Sequence, residues 1–300
     1  MMFGALFSKE CDSLSYRLII SFFLATFARM KNEWITSTQN PKVKHVVALQ
    51  QKSAERRRTG RFVVEGSREL SHCIHAGFQV DMLFVCPSLC GDALCGVIDS
   101  IPGVSQRYDV SEEVYSKMAY RGSTEGVIAL VRERALTLDD LTFGPAPLIV
   151  VVERVEKPGN LGAILRSADA AHADAVIVCD PLTDIYNPNL IRSSIGAVFS
   201  VPCVACDSVS CIRFLKQKGV TILTAQLQDS HLYYDTDMRR PTAIVMGTES
   251  TGLTDIWRDA ADAHIRIPML GKLDSLNVSV SAAILLFEAV RQRNITPGHS

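Results

Sequence analysis

Beyond residue 40 the chain alternates short apolar runs with amphipathic stretches. In "VKHVVALQQKSAERRR" (43–58), Val43, Val46, Val47 and Leu49 or Gln50 fall on one side, which predicts a helix with a basic end. "RFVVEG" then reads as a strand and "SRELSHCIHAG" as a helix that opens on Ser67 and closes on Gly77. "DMLFVC" is a strand, "SEEVYSKMA" a helix capped by Ser111, and "GVIALVRE" a strand. Residues 31–134 therefore form a small α/β unit. The turn-rich "ALTLDDLTFGPAP" (135–147) keeps no period and reads as a linker.

From 148 to 296 the alternation resumes with more hydrophobic strands: "PLIVVVE", "DAVIVC", "SVPCVAC", "VTILTAQ", "TAIVMG" and "AHIRIPM". Near-continuous apolar runs of this kind signal a parallel sheet covered on both faces. Helices are expected at 161–171, 189–199, 209–218 and 254–261. In the closing helix (275–293), Val278, Ala282, Leu285, Leu286 and Ala289 form a stripe, with Glu288, Arg291 and Arg293 facing away. Val280, Ile284 and Phe287 add a second apolar set, so two packed faces are expected.

Composition changes this picture little: 300 residues, 47% hydrophobic and 21% charged, suit a soluble globular chain with material for two cores. The formal charge of -1 hides a local excess, because nine Lys and Arg oppose four Glu between 31 and 70, a net +5. Arg56, Arg57, Arg58 and Arg61 are the candidate RNA-phosphate contacts within it, and a solvated helix face is the alternative. Nine cysteines without a pairing pattern fit a reducing compartment, hence a cytoplasmic protein. Cys86, Cys90 and Cys95 lack a CxxC pair and a matching His or Cys set, and no metal is expected in the protein. His72, His75, His172 and His264 are scattered singly and read as packing or surface residues. The apolar run at 18–28 is shorter than the roughly 20 residues a bilayer needs. Residues 1–30 are expected to be an extension without a folded role, with Met30 the candidate first residue.

Three loops leaving strands are unusually rich in glycine and polar residues: "KPGNLG" after "LIVVVE", "GTESTGL" after "TAIVM", and "PMLGKLDSLN" after "HIRI". Ligands of open parallel sheets bind at such carboxyl-end loops. Neither of the first two is a dinucleotide fingerprint or a phosphate-cradling loop, and each alone could be a plain turn and cap. In order and spacing, however, "NLGAILRSADA", "IVMGTESTGL" and "IPMLGKLDSLNVSVSAAILLFEAVRQR" resemble the three signature motifs of the SpoU (TrmH-like) RNA 2'-O-ribose methyltransferases. The likeness takes in "IRSSIGAVFSVPC" and covers 148–293, while "FVVEGSRELSHCIHAG" is similar to the L30e-like substrate-binding domain of the ribosomal RNA branch.

That resemblance implies an α/β domain with a trefoil-knotted, mostly parallel sheet, S-adenosylmethionine held bent inside the knot, and a homodimer with the last helix in its interface. It implies 2'-O-methylation of RNA, 23S ribosomal RNA foremost. Transfer RNA, or a catalytically silent RNA-binding role, is the alternative. Carried over singly, the motif residues fall on Asn160 and Arg166, on Glu249, and on Ser275 and Asn277. The donor pocket would involve Gly247, Ile267 and Leu276, with Thr248, Met269 and Gly271 beside them. Ser250 and Thr251 stand where the family more often has glycine.

Ribose methylation must orient two reactants and remove one proton. Orientation supplies up to roughly 7 to 11 kcal/mol in favourable cases. A guanidinium ionises above about pH 12, so an arginine base at neutral pH costs about 7 kcal/mol. The alternative is that Arg166 clamps the adjoining phosphate while that phosphate or a water takes the proton. Asn160 and Asn277 suit holding the ribose and loop ends, and Glu249 suits anchoring backbone N–H groups of a neighbouring loop. The glycines are expected to let the first turn approach the ribose, with Arg166 on the early turns of the helix that follows.

Overall fold

The computed structural model describes residues 33–91, 98, 101, 104, 106–120, 125–248 and 251–294. The extension expected at 1–30 lies outside them. The first unit opens with strand β1 (Glu33–Ile35), helix α1 (Pro41–Gln51), helix α2 (Ser53–Thr59) and strand β2 (Arg61–Glu65). Helix α3 (Ser67–His75), strand β3 (Val80–Val85), strand β4 (Gln106–Val110), helix α4 (Glu112–Met118) and strand β5 (Val127–Arg132) follow. Its sheet has the order β1-β4-β3-β5-β2, parallel at β1/β4 and β3/β4 and antiparallel where β5 meets β2 and β3.

Two helices replace the single one expected at 43–58. Lys52 is extended (φ -121°, ψ 111°) and breaks the run. The break lets Arg56 donate back to the carbonyls of Leu49 and Gln50 at the end of α1, which would otherwise lack partners. β1, three residues long, is too short to carry a periodic signal.

The second unit runs strand β6 (Leu148–Glu153), helix α5 (Pro158–Ala170), strand β7 (Ala175–Cys179), helix α6 (Pro188–Ser194), helix α7 (Ala197–Ser200) and strand β8 (Cys203–Cys206). It continues through helix α8 (Ser208–Gln217), strand β9 (Thr221–Ala225), strand β10 (His231–Leu232), strand β11 (Thr242–Met246), helix α9 (Asp255–Ala260), strand β12 (Ala263–Arg266) and helix α10 (Val278–Asn294). All seven strands are parallel, in the order β10-β12-β9-β11-β6-β7-β8. Every residue of β6, β7 and β11 is buried, as a doubly covered sheet requires. The expected helix at 189–199 is split by Ile195 (φ 53°) and Gly196 (φ 85°), both left-handed. A Cβ on Gly196 would come within 3.0 Å of His72, so this bend is one of the places where the two units touch.

The units share one continuous core. Phe62 stacks on Tyr186 (4.3 Å between ring centroids), and Phe78 meets Phe199 edge-on at 5.2 Å. Tyr186 donates its hydroxyl to Arg134 O at 2.8 Å, and the Arg134 guanidinium lies 4.8 Å from the Phe78 ring centre. The Arg56 guanidinium bonds Asp184 at 2.6 Å with both side chains largely buried.

Helix α10 corrects one expectation. Its stripe of Val278, Ala282, Leu285, Leu286 and Ala289 is buried, but so is Glu288, and Arg293 turns inward. Arg293 donates to the carbonyls of Met238, Ala146, Pro147 and Arg240, tying the helix end to the turns before β6 and β11. Val280 and Phe287 stay half exposed on the opposite side.

Candidate active site at the sheet rim

A cavity of about 460 Å³ opens at the carboxyl ends of β9, β11 and β12, within the range of small-molecule sites. Gly247, Thr248, Ile267, Met269, Ser275 and Leu276 all line it. The second and third loops therefore converge as expected, while Gly271 is exposed and lies off the lining. Glu249 and Ser250 fall outside the described residues.

The second loop closes on itself. Thr248 and Gly252 exchange backbone hydrogen bonds (3.3 and 3.0 Å), and Thr251 N donates to the Thr248 hydroxyl at 3.1 Å. Gly252 (φ +67°) supplies the left-handed residue this turn needs. Gly247 is required by contact: a Cβ there would sit 2.2 Å from the Gly252 carbonyl. Thr251, standing where the family more often has glycine, contributes to the closure.

A hydrogen bond ties the first loop to the site. Asn277 Nδ2 donates to Asn160 Oδ1 at 3.2 Å, linking the start of α10 to the first turn of α5. Asn277 also caps α10, its Oδ1 accepting from Ser279 N at 3.0 Å. Capping thus falls to Asn277 and not to Ser275, whose hydroxyl lies 3.4 Å from Asp274.

Three readings of the first loop need correction. Helix α5 starts at Pro158, so "PGNLG" is its opening turns and not a loop before it. Gly162 serves packing, because a Cβ there would meet Ser193 Oγ at 1.9 Å and Ser194 N at 2.8 Å on α6. Arg166, exposed, sits in the third turn, roughly 9 Å along the axis from Asn160 and about 120° around it. It stands outside the cavity lining.

Of the basic residues, Arg56 is withdrawn from the surface: it is 4% exposed and committed to Asp184 and the end of α1, so it is a strut between the units. Arg57 is exposed. Arg58 pairs with Glu55 at 2.6 Å at the surface, whereas Arg61, partly exposed, pairs at 2.7 Å with the buried Asp81.

Sequence reasoning missed three residues here. Glu153, 2% exposed at the end of β6, accepts from Thr254 N (2.9 Å) and Thr254 Oγ1 (2.5 Å), anchoring the second loop in the way expected of Glu249. Its only signal was a single acid closing the apolar run "LIVVV". Gln226 Oε1 and Arg258 Nε are buried without a partner among the described residues, and both side chains line the cavity. Gln226 Nε2 donates to Gln228 O at 3.0 Å, which fixes the amide so that its oxygen is the orphan. A ligand bearing both amino or hydroxyl donors and an anionic group satisfies the pair, and a nucleoside with an amino-acid tail has these groups.

Fold and cavity describe an α/β protein of two joined units, with a cavity at the rim of a parallel sheet whose orphaned polar atoms suit a nucleoside-type ligand and basic side chains on the first unit. Residues 147–287 match the SpoU rRNA Methylase family, and 40–129 match the MRM3-like substrate binding domain. A 23S rRNA (guanosine-2'-O-)-methyltransferase RlmB from Ralstonia nicotianae is 38% identical over 58% of this chain and 72% of its own. The 23S rRNA (uridine(2479)-2'-O)-methyltransferase of Streptomyces viridochromogenes is 31% identical over 86% of this chain and 92% of its own. The AdoMet-bound rRNA methyltransferase of Sinorhizobium meliloti superposes with a TM-score of 0.78 at 30% identity, over 86% of this chain and 97% of that one. The chain belongs to the SpoU rRNA methylase family.

Proposed function

We propose that this protein methylates a ribose 2'-hydroxyl of ribosomal RNA, in the large subunit, with S-adenosylmethionine as donor. The observation that carries the reading is the Asn160–Asn277 hydrogen bond, which joins the first motif to the third, Asn277 lying between the cavity-lining Leu276 and Val278. Gly247, Ile267, Met269 and Leu276 would hold the donor, with Gln226 and Arg258 meeting its polar ends. When bound, the donor supplies an electrophilic methyl group on a sulfonium.

The chain's own residues do the positioning. The asparagine pair, with donor and acceptor atoms on each side chain, holds the ribose edge and fixes the start of α10. Glu153 keeps the second loop closed over the cavity. Arg166 clamps the phosphate next to the target nucleotide, and that phosphate or a water accepts the hydroxyl proton. Arg57, Arg58 and Arg61 on the first unit take further phosphates, while the hydroxyl itself selects RNA over DNA.

A homodimer completes the reading. Val280 (46% exposed) and Phe287 (48%) are spaced along one side of α10, with Leu270 (97%) and Leu273 (79%) exposed on the third loop nearby. A second copy covers them. The C-terminal path supports a threaded, knotted segment: from β12 it returns past β9 and β11 to bring Asn277 to Asn160 and α10 onto α5. No helix among the described residues is long and apolar enough to cross a membrane, and a cytoplasmic site of action follows from the substrate.

Mapping 2'-O-methyl positions in total RNA from a deletion strain tests the function. One large-subunit position loses its methyl group and regains it with the wild-type gene but not with Arg166→Ala. An unchanged map, or loss confined to transfer RNA, refutes the assignment.

A further inference from the structure

Three of the nine cysteines, from three different elements, meet at the carboxyl ends of β7 and β8, towards the opposite lateral edge of the sheet from the cavity. Cys179 ends β7, Cys206 ends β8, Cys211 is the fourth residue of α8, and their sulfurs all lie within 4.8 Å of one another. Strand register sets the first pair, since parallel β7 and β8 place Cys179 opposite Cys206. The cap of α8 sets the third: Asp207 accepts from Ser210 N at 2.8 Å and starts the helix so that Cys211 faces the sheet.

The surrounding backbone is held firmly. Arg154 N donates to Cys179 O and Asp180 N to Cys206 O, each at 2.9 Å. Asp180 Oδ2 accepts from Ser208 Oγ at 2.6 Å, and Trp257 Nε1 donates to that hydroxyl at 3.0 Å. Cys179 and Cys211 are fully buried, whereas Cys206 is partly exposed and lines an open cavity of about 440 Å³ with Asp207, Ser210 and Arg213.

We propose that Cys179, Cys206 and Cys211 form a three-thiolate site for a thiophilic metal ion, zinc(II), whose fourth ligand enters from the cavity on the Cys206 side. Zinc–sulfur bonds of about 2.3 Å in a tetrahedron set the sulfurs about 3.8 Å apart, so the observed cluster needs a contraction of about 1 Å at most. A disulfide joins only two sulfurs, at about 2.05 Å, and gives the third no reason to converge. Zinc here staples β8, the edge strand, to β7 and to the helix that covers it. The site is separate from the donor cavity, which opens at β9, β11 and β12.

The test uses the reduced full-length protein, freed of metal and titrated with cobalt(II), then zinc(II). One equivalent of cobalt gives intense near-ultraviolet sulfur-to-metal absorption, and one equivalent of zinc abolishes it. Cys206→Ser, at the exposed corner, lowers zinc affinity at least tenfold while circular dichroism and binding of S-adenosylhomocysteine stay as in wild type. The proposal is overturned if the reduced wild-type protein takes up no stoichiometric metal, or if uptake is undiminished in Cys206→Ser. A disulfide between two of the three thiols, with no metal uptake after its reduction, overturns it too.

Discussion

Arginines 56 and 57 are neighbours with opposite assignments, which makes them a direct test of how the basic segment is used. The Arg56 side chain is 5% exposed and that of Asp184 15%, and their hydrogen bond is 2.6 Å long. Removing one partner of a buried ion pair costs about 3 to 5 kcal/mol, because the other charge is left uncompensated. Asp184 keeps a hydrogen bond from Tyr186 N at 2.8 Å, which argues for the lower end, about 3 kcal/mol. Orphaning the α1 carbonyls adds about 1 kcal/mol at most. Arg56→Ala should therefore shift the folding equilibrium by about two to three orders of magnitude. Its melting point should fall by roughly 6 to 16 °C for a chain of this size. Scanning calorimetry of the full-length protein measures this, and a salt series of RNA-binding constants measures the rest. Arg57→Ala should leave stability within about 0.5 kcal/mol of wild type and reduce the salt slope by about one phosphate contact. The reasoning fails if Arg56→Ala melts within 2 °C of wild type and flattens the salt slope as Arg57→Ala does.

Three further tests probe the catalytic domain. Asn277→Ala should lose both the cap of α10, about 1 kcal/mol in unfolding experiments, and most methyl transfer, whereas Asn160→Ala should lose only the transfer; equal stability losses would contradict the capping role. Gly162→Ala should destabilise by at least about 1 to 3 kcal/mol, since its Cβ would overlap Ser193 and the backbone of α6; restored stability on adding Ser193→Gly would confirm the overlap, and a neutral single variant would refute it. Arg291 lies against Glu288 and holds its carboxyl below the ordinary glutamate value of 4.5. Because the folded value is the lower one, the contribution is full above 4.5 and is lost as the pH falls through the folded value. The melting-point gap between wild type and Glu288→Gln should accordingly narrow from about pH 7 to about pH 3, and a constant gap would count against the ion pair.

Much of the site was legible because its residues come in three short runs, each just after a strand. Gly247, Thr248, Ile267, Met269 and Leu276, expected at the donor pocket from the family resemblance those runs carry, line the cavity, as does the motif residue Ser275, while Gly271 does not. Glu153, Gln226 and Arg258 were not, because a lone acid, amide or guanidinium carries no periodic or spacing signal; only burial without partners, or across a loop, distinguishes them. The misassignment of Arg56 has the same origin. Four basic residues in six positions look alike in a string, and which one turns inward depends on a helix break at Lys52 and on Asp184, 128 residues away.

The chain's local chemistry determined the class of fold. Apolar runs without alternation demand a sheet covered on both faces, parallel strands demand helical crossovers, and glycines with positive φ demand their turns. These preferences act over a few residues and so can be read in order. Only the tertiary structure decided which strands lie side by side, that Asn277 returns to Asn160, that Gly162 answers to Ser193, and that three cysteines spread over 32 residues share one point. Those choices depend on contacts between segments far apart in the chain, whose free energy exists only once both partners have been brought together.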